Sequence, residues 1–462
     1  GNDYKDGADE EEAEVFLDHD VTFSVPTREI AEEYVKLDEA HTSYAADAES
    51  GEWNVTRHAG SMIRVPRRAA MTRTVGGQFP KGFDPVKWGI PASMVGDVDK
   101  IALWNIVTTV DAYLSAGFTP AEILEAVHPS MVASTQGTGF GGMASMRKLY
   151  LDRFLNHEIP TDILQEALPN VVAAHVMQSY IGGYGNMIQP VSACATAAVS
   201  LEEGADKIAL GKADFVVTGA IDDIGVESVI GFGNMNATAN SALKLGLPVA
   251  GVVGFVHSYA DGAHTSIPAP GLGALAAGMG GKDSKLVHDL AKLGVTPDDI
   301  AVVSKHDTST NANDPNESEL HNTLAHAIGR TDGNPLFVIS QKSLTGHAKG
   351  GACIFQVNGL TQLFKSGVVP ANVALDCVDP KLKLREPLKV GSVKAGLATS
   401  LGFGHVSGFA AIVNPGAFEA SVANTAGEDA LSEWRGRANA RLAAGQRRLE
   451  EGMMGRAALY EP

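Results

Sequence analysis

Residues 189–211 read QPVSACATAAVSLEEGADKIALG, and residues 215–221, just beyond them, read FVVTGAI. Met187 to Val191 predicts a strand, and the Ala-rich run from Ala195 to Lys212 predicts a helix. The β-branched run that follows predicts a strand buried on both faces, because a continuous apolar run leaves no face for water. The same pattern recurs in VAGVVGFV (249–256), IAVVSKH (300–306), PLFVIS (335–340) and FAAIV (409–413), with helical stretches between. One of these, Asp97 to Phe118, repeats apolar residues Ile101, Trp104, Val107, Val110 and Leu114 at helical spacing, so one face of it is expected to be buried. The class is α/β, and each half of the chain offers helices and buried strands, which is compatible with a duplicated unit.

The 462 residues carry 44% hydrophobic content, enough for a large core. Three cysteines, Cys194, Cys353 and Cys377, are too few and too scattered for a disulfide framework or a zinc cage, which points to a reducing compartment, and no metal site is expected. No stretch approaches the roughly 20 apolar residues of a membrane span. The expected location is the cytoplasm. A net charge of -18 argues against nucleic acid and anionic membranes as partners, since both are polyanions.

The charge is concentrated at one end, with sixteen acidic residues against three Lys and Arg in the first fifty. Clusters such as Asp9 to Glu12 repel one another, so residues 1–60 read as a solvated linker with some local structure. A basic patch of Arg64, Arg67, Arg68 and Arg73 and a turn-rich bridge, GGQFPKGFDP, complete the segment. At the other end, Glu428 to Met454 predicts a charged helix with a stripe of Leu431, Trp434, Ala438, Leu442 and Leu449 for packing on a neighbour.

Cys194 stands where the strand approach breaks into the helix. Unpaired N–H groups and the macrodipole at a helix start favour thiolate over thiol. Two histidines sit at strand exits downstream: His306 in SKHDTSTNANDPNE (304–317) and His347 in SQKSLTGHAKGGACIFQVNGL (340–360). Polar residues beyond the carboxyl end of a strand are where α/β proteins present functional groups. GTGFGG (137–142) resembles a dinucleotide glycine loop, but the residues before it do not read as a buried strand, so it is expected to be a tight turn. Cys353 and Cys377 read as core or loop residues. Met177, Tyr180, Met187 and Phe232 fit an acyl pocket and plain core packing equally.

Together these motifs resemble the β-ketoacyl-acyl-carrier-protein synthases of the thiolase-like fold, over roughly residues 90–415. SACATAA matches the nucleophile motif, HDTSTNANDPNE and KSLTGHAKGGA the two histidine motifs in order, and SLGFGHVSG (400–408) the closing glycine-rich loop, although His405 stands where the family usually has Gly. The spellings resemble the ketosynthase domain of a bacterial, fungal-like multifunctional type I fatty acid synthase. The resemblance implies a duplicated αβαβα layered fold with an N-terminal linker segment and a C-terminal helix. It divides the chain into 1–95, an acidic linker and bridge from upstream domains; 96–415, the ketosynthase domain with halves 96–245 and 246–415; and 416–462, a C-terminal helical tail.

It also implies roles. Cys194 carries the acyl group, and its backbone N–H and that of Phe403 form the oxyanion hole, with Phe403 also gating the acyl pocket. His306 and His347 donate to the malonyl thioester carbonyl. Lys342, paired with Glu317, organises the histidines; Glu317 and Asp314 support them; Thr308 and Thr310 hold the pantetheine arm. No cofactor is expected in this segment beyond the phosphopantetheine of an acyl carrier protein, which serves as substrate carrier and partner. The expected assembly is a ketosynthase homodimer within a larger, hexameric homo-oligomer. Two alternatives stand beside this one: a thiolase-type acyltransferase, which shares the fold but uses a second active cysteine, and a mainly structural ketosynthase-like domain.

The family normally has a longer segment where this chain passes from GFGNMNATAN to SALKLGLPVAG, and another after Pro380. Loss of a buried strand would expose its neighbours' edges. Residues omitted from the sequence are the favoured explanation, so Asn240 and Ser241 are expected to lie too far apart for a peptide bond.

Overall fold

A computed structural model describes residues 12–66, 84–149, 163–222, 234–237, 239–260, 271–308, 313–373, 388–402, 406–454 and 456. The chain separates into two compact units, Gly1–Val75 and Gly76–Pro462.

The first unit is more than the linker expected of it. β1 (Glu12–Phe16) pairs antiparallel with β5 (Met62–Pro66), and β2 (Val21–Val25), β3 (Thr42–Ala46) and β4 (Trp53–Arg57) form an antiparallel sheet in the order β2-β4-β3. A helix, Arg28–Leu37, is capped by the Thr27 hydroxyl and packs Ala31 against Val25 and Val55, all three buried, with Phe23, Tyr34, Tyr44 and Trp53 around them. Charge density misled the reading because few apolar residues suffice for so small a core. The cluster Asp9–Glu11 and the arginines 67, 68 and 73 lie outside the described residues.

Among the described residues the second unit has two larger sheets. β6 (Val132–Gly137), β7 (Phe215–Ala220) and β8 (Asn234–Ala237) form one, with β6 and β7 parallel. β9 (Val252–Ala260), β10 (Ile300–Ser304), β11 (Phe337–Ile339), β14 (Ala395–Leu401) and β15 (Val406–Val413) form the other, in the order β11-β10-β14-β15-β9, parallel across β11, β10 and β14. A two-stranded pair, β12 (Val368–Val369) and β13 (Leu388–Lys389), completes the strands.

Between the sheets lie two helices, one from each half: Thr196–Ala209 and Ala352–Ser366. Ala197, Ala198, Leu201, Cys353, Ile354, Val357 and Leu360 are buried together with Ala220, Val302, Ala398 and Ala410 of the strands. The alanines are there for clearance. A Cβ on Gly204 would stand 2.3 Å from Thr218 Cγ2 of β7, and one on Gly408 of β15 would stand 2.3 Å from Ala198 Cβ. The helix that follows Cys194 is therefore gripped by a sheet on each side, the layered αβαβα arrangement of the thiolase-like fold.

Several local expectations change. Met187 to Val191 is no strand; Met187 makes one isolated bridge to Ser134 of β6. The helix Lys100–Ser115 is buried around nearly its whole circumference, from Ile101 through Val110, because other helices cover it too. A fully buried strand, β6, does lead straight into GTGFGG; Ser134, Thr135 and Gln136 disguised it. The short helix Ala239–Leu245 runs unbroken across Asn240 and Ser241, so the expected discontinuity is absent. Residues 374–387, which span the second suspected loss after Pro380 and include Cys377, are outside the described set.

The C-terminal region forms two helices, Gly416–Ala426 and Glu428–Met453. Leu431, Trp434 and Ala438 are buried as expected, but Leu442 is 43% exposed. Its place is taken by Gly445, where a Cβ would collide with the Leu114 carbonyl. No helix among the described residues is long and apolar enough to cross a membrane.

Candidate active site

The carboxyl ends of β6, β7, β10, β11 and β14 supply the site. Cys194 occupies a 3₁₀ turn, Ala193–Ala195, which runs into the helix Thr196–Ala209. The turn is held by the Thr196 hydroxyl, which donates to the Ala193 carbonyl (2.8 Å) and accepts from Ser192 N (2.9 Å). From β14, the Ser400 hydroxyl donates to the Cys194 carbonyl (2.7 Å). Ala193 has φ 44°, a left-handed conformation uncommon for a residue with a side chain and seen where a tight turn presents a functional group.

His306 leaves β10 fully buried. Its backbone N–H and that of Asp307 each donate to Glu317, both at 2.6 Å, and Asn313 Nδ2 adds a third bond at 2.7 Å. Burial raises the Glu317 pKa, but His321, Lys305 and the Asp307 N–H outweigh it and hold the carboxyl below its usual value. Gln356 Nε2 donates to the carbonyls of Ser304, Lys305 and Thr399, tying the ends of β10 and β14 together.

Lys342 reaches His306 rather than Glu317. Its Nζ lies 3.0 Å from His306 Nδ1 and also donates to the His306 carbonyl. Burial pulls Lys342 down to about 8, and Glu317 leads the anions that resist. At neutral pH it is mostly an ammonium, a donor only. His306 Nδ1 therefore accepts, and the ring hydrogen sits on Nε2, which is buried without a partner. His347 arrives at the same state differently: Lys349 N donates to its Nδ1 at 3.0 Å, again leaving the hydrogen on Nε2. Burial foremost, then the Lys342 charge, keeps both rings neutral; His347 falls to about 3 and His306 far below its ordinary value.

The three side chains converge. The Cys194 sulfur and one ring nitrogen from each of His306 and His347 all lie within 4.8 Å of one another. The rings stand 5.3 Å apart at 85°. A thiolate and two imidazoles form a donor set that zinc accepts, but a metal-bound neutral imidazole donates from its other nitrogen. Here both Nδ1 atoms face donors, so the pair is built to offer N–H groups.

The family models for the N-terminal and C-terminal domains of β-ketoacyl synthase match residues 25–263 and 249–376. The chain belongs to the β-ketoacyl synthase family. The N-terminal match begins inside the first compact unit, well before the boundary expected at residue 96. Fatty acid synthase 2 of Mycosarcoma maydis is 32% identical over 80% of this chain and 11% of its own length. A fatty acid synthase alpha subunit of Emericella nidulans is 32% identical over 96% of this chain and 31% of that protein. The chain thus spans about a tenth to a third of the curated relatives it matches. The noncanonical ketosynthase FabY from P. aeruginosa has the same fold, with a TM-score of 0.74 and 21% identity over 97% of this chain and 76% of that one.

The structure brings together Cys194, His306, His347, Lys342 and Glu317. Thr308 follows on the His306 loop, half-buried. Phe403, Thr310 and Phe232 lie outside the described residues, and for Asp314 only the backbone, within the helix Asn313–Ala327, is described. Met177 belongs to the core with Tyr180 packed against it, whereas Met187 is 38% exposed. Cys353 is fully buried, and burial pushes its thiol up to about 12.

One buried carboxylate beside the site escaped the sequence. Asp222, nearly fully buried just past β7, accepts at Oδ1 from Thr138 Oγ1 (2.9 Å), Gly139 N (2.6 Å) and Phe140 N (3.1 Å), and at Oδ2 from Gly350 N (2.7 Å). The signal was available: an acid directly at the exit of a buried strand, the criterion that singled out His306.

Proposed function

We propose that this chain is the condensing station of a fatty acid synthase, moving an acyl chain from carrier-protein phosphopantetheine to Cys194 and extending it with malonyl carrier protein. The Cys194 thiolate attacks the acyl thioester and the pantetheine thiol leaves. The malonyl thioester then loses carbon dioxide, and the electron pair of the broken bond becomes an enolate whose oxygen accepts from Nε2–H of His306 and of His347. The enolate carbon attacks the acyl carbonyl on Cys194. The oxyanion so formed is held by the N–H groups of Cys194 and Phe403, and its collapse expels the thiolate and releases β-ketoacyl carrier protein. Thr308 and Thr310 steady the pantetheine arm, and Asp314 supports the His306 loop.

The convergence of the thiol with two neutral imidazoles, each locked as an Nε2–H donor, carries this reading. A thiolase would need a second reactive thiol as base, and among the described residues the other cysteine, Cys353, is buried and pushed up to about 12, which is unsuited to it. The test incubates the enzyme with radiolabelled malonyl carrier protein. Cys194→Ala should abolish acyl transfer and still decarboxylate, while His306→Ala and His347→Ala should each slow decarboxylation by about 10²–10³. Normal decarboxylation in either histidine variant refutes the assignment.

The chain pairs with a second copy in the same proposal, through the segment beside β6. Tyr184, Met187, Ile188 and Val191 are exposed there, 83%, 38%, 36% and 57%, along backbone that bonds Val132 and Ser134 of β6. Hexameric assembly in the cytoplasm completes the reading.

A further inference from the structure

We infer that Asp222 is a positioning residue for His347, acting through the backbone of Lys349 and Gly350. The two N–H groups are consecutive and point at different acceptors: Lys349 N at His347 Nδ1 (3.0 Å), Gly350 N at Asp222 Oδ2 (2.7 Å). This divergence needs a particular backbone, and Lys349 has it, with φ 45° in the left-handed region. A residue with a side chain occupies that region only when its surroundings hold it there. The bond from Gly350 to a buried carboxylate is the restraint, and a charge-assisted bond in a dry site is a strong one.

The carboxylate is itself fixed by three donors on the loop 138–140 at the end of β6. His347 is thereby referenced to the first sheet, while His306 is referenced through Glu317 and Lys342 to the second. Burial raises the Asp222 pKa against its four hydrogen bonds. Without the Asp222 link, Lys349 relaxes to negative φ, its N–H leaves His347 Nδ1, and the ring loses the contact that keeps its hydrogen on Nε2.

The inference rests on the reading of His347 as a decarboxylation donor, so His347→Ala is run alongside. Asp222→Asn keeps the shape but turns one oxygen into an NH₂ among donors. In the full chain it should slow malonyl decarboxylation at least tenfold through kcat, with KM little changed. Alkylation of Cys194 by iodoacetamide should stay within twofold, since the thiol does not depend on this link. Lys349→Gly, which adopts left-handed φ at no steric cost, should restore the Asp222→Asn rate at least threefold. Loss of both reactions together, loss of neither, or no rescue overturns the inference. If Asp222→Asn does not fold, Thr138→Val, which loosens the carboxylate from its other oxygen, is read in the same two assays. A threefold fall in decarboxylation alone supports the inference, and an unchanged ratio overturns it. If His347→Ala decarboxylates normally, the fault lies in the underlying reading instead.

Discussion

Replacing Glu317 by Gln tests how the first histidine is held. The carboxylate accepts three bonds of 2.6–2.7 Å, with both oxygens engaged and no exposure. Glutamine has one acceptor oxygen. In its better orientation that oxygen keeps Asp307 N and Asn313 Nδ2, and its NH₂ faces the His306 N–H. A buried donor without a partner costs about 1–3 kcal/mol, and the two retained bonds lose their charge assistance, about 1 kcal/mol each. Relief of carboxylate desolvation returns part of this, leaving a net loss of about 2–4 kcal/mol. A thermal melt should fall by about 5 °C. Because the His306 peptide must turn away from a donor, malonyl decarboxylation should fall at least tenfold. Glu317 is also the leading anion sustaining the Lys342 ammonium against burial. Its loss therefore lowers the Lys342 pKa from about 8, and the alkaline decline of decarboxylation moves to lower pH. A variant that melts within 1 °C of the parent and keeps the parent's pH profile refutes the account.

Lys342→Met should remove the alkaline decline near pH 8 while lowering the plateau, as read from decarboxylation between pH 6 and 9; a decline that survives assigns it to another group. Iodoacetamide at pH 8, followed by peptide mass spectrometry, should label Cys194 and leave Cys353 unmodified, since burial pushes the Cys353 thiol up to about 12; label on Cys353 in the folded chain contradicts its burial. Gly408→Val places side-chain carbons where a Cβ alone would stand 2.3 Å from Ala198 Cβ. It should destabilise the chain by about 1–3 kcal/mol, visible in denaturant unfolding, and slow acylation of Cys194; unchanged unfolding and acylation would mean that the helix after Cys194 is not gripped from both sides.

What the sequence revealed and what it hid follow one physical division. Strands with unbroken apolar runs, β7, β10 and β15, were legible because burial on both faces selects such residues. β6 and β14 were not, since VASTQG and AGLATSL place hydroxyls and amides inside the sheet. Several of these are buried with partners that sequence does not display, such as Thr135 donating to the Ser200 carbonyl and Gln136 Nε2 to Asn105. The three side chains that converge, Cys194, His306 and His347, were legible because their motifs are local. The direction of Lys342 was not, since the choice between His306 and Glu317 depends on how β10 and β11 are placed side by side. Asp222 stands at a strand exit as His306 does, but its four donors come from residues 138–140 and 350, far away in the chain, so its partners were not legible. The first sixty residues misled through charge, which describes a surface well and says little about a core of three residues.

The two histidines reach one chemical state by different means, and this divides the site's response to pH. In the proposed mechanism each needs its hydrogen on Nε2, which requires a donor at Nδ1 that does not reverse its role. For His347 the donor is a peptide N–H, which does not titrate and depends only on the backbone at Lys349. For His306 it is an ammonium with a pKa of about 8, which above that pH becomes an amine able to accept from Nδ1. Rising pH therefore loosens His306 first, while His347 keeps its tautomer. At the acid end neither ring gains a proton near neutrality, because burial has carried His347 to about 3 and His306 well below its ordinary value. In the proposed condensation, burial so placed serves the chemistry directly: an imidazolium would add a full charge beside the departing carboxylate, whereas two neutral donors stabilise the enolate as it forms and leave the carboxylate free to depart.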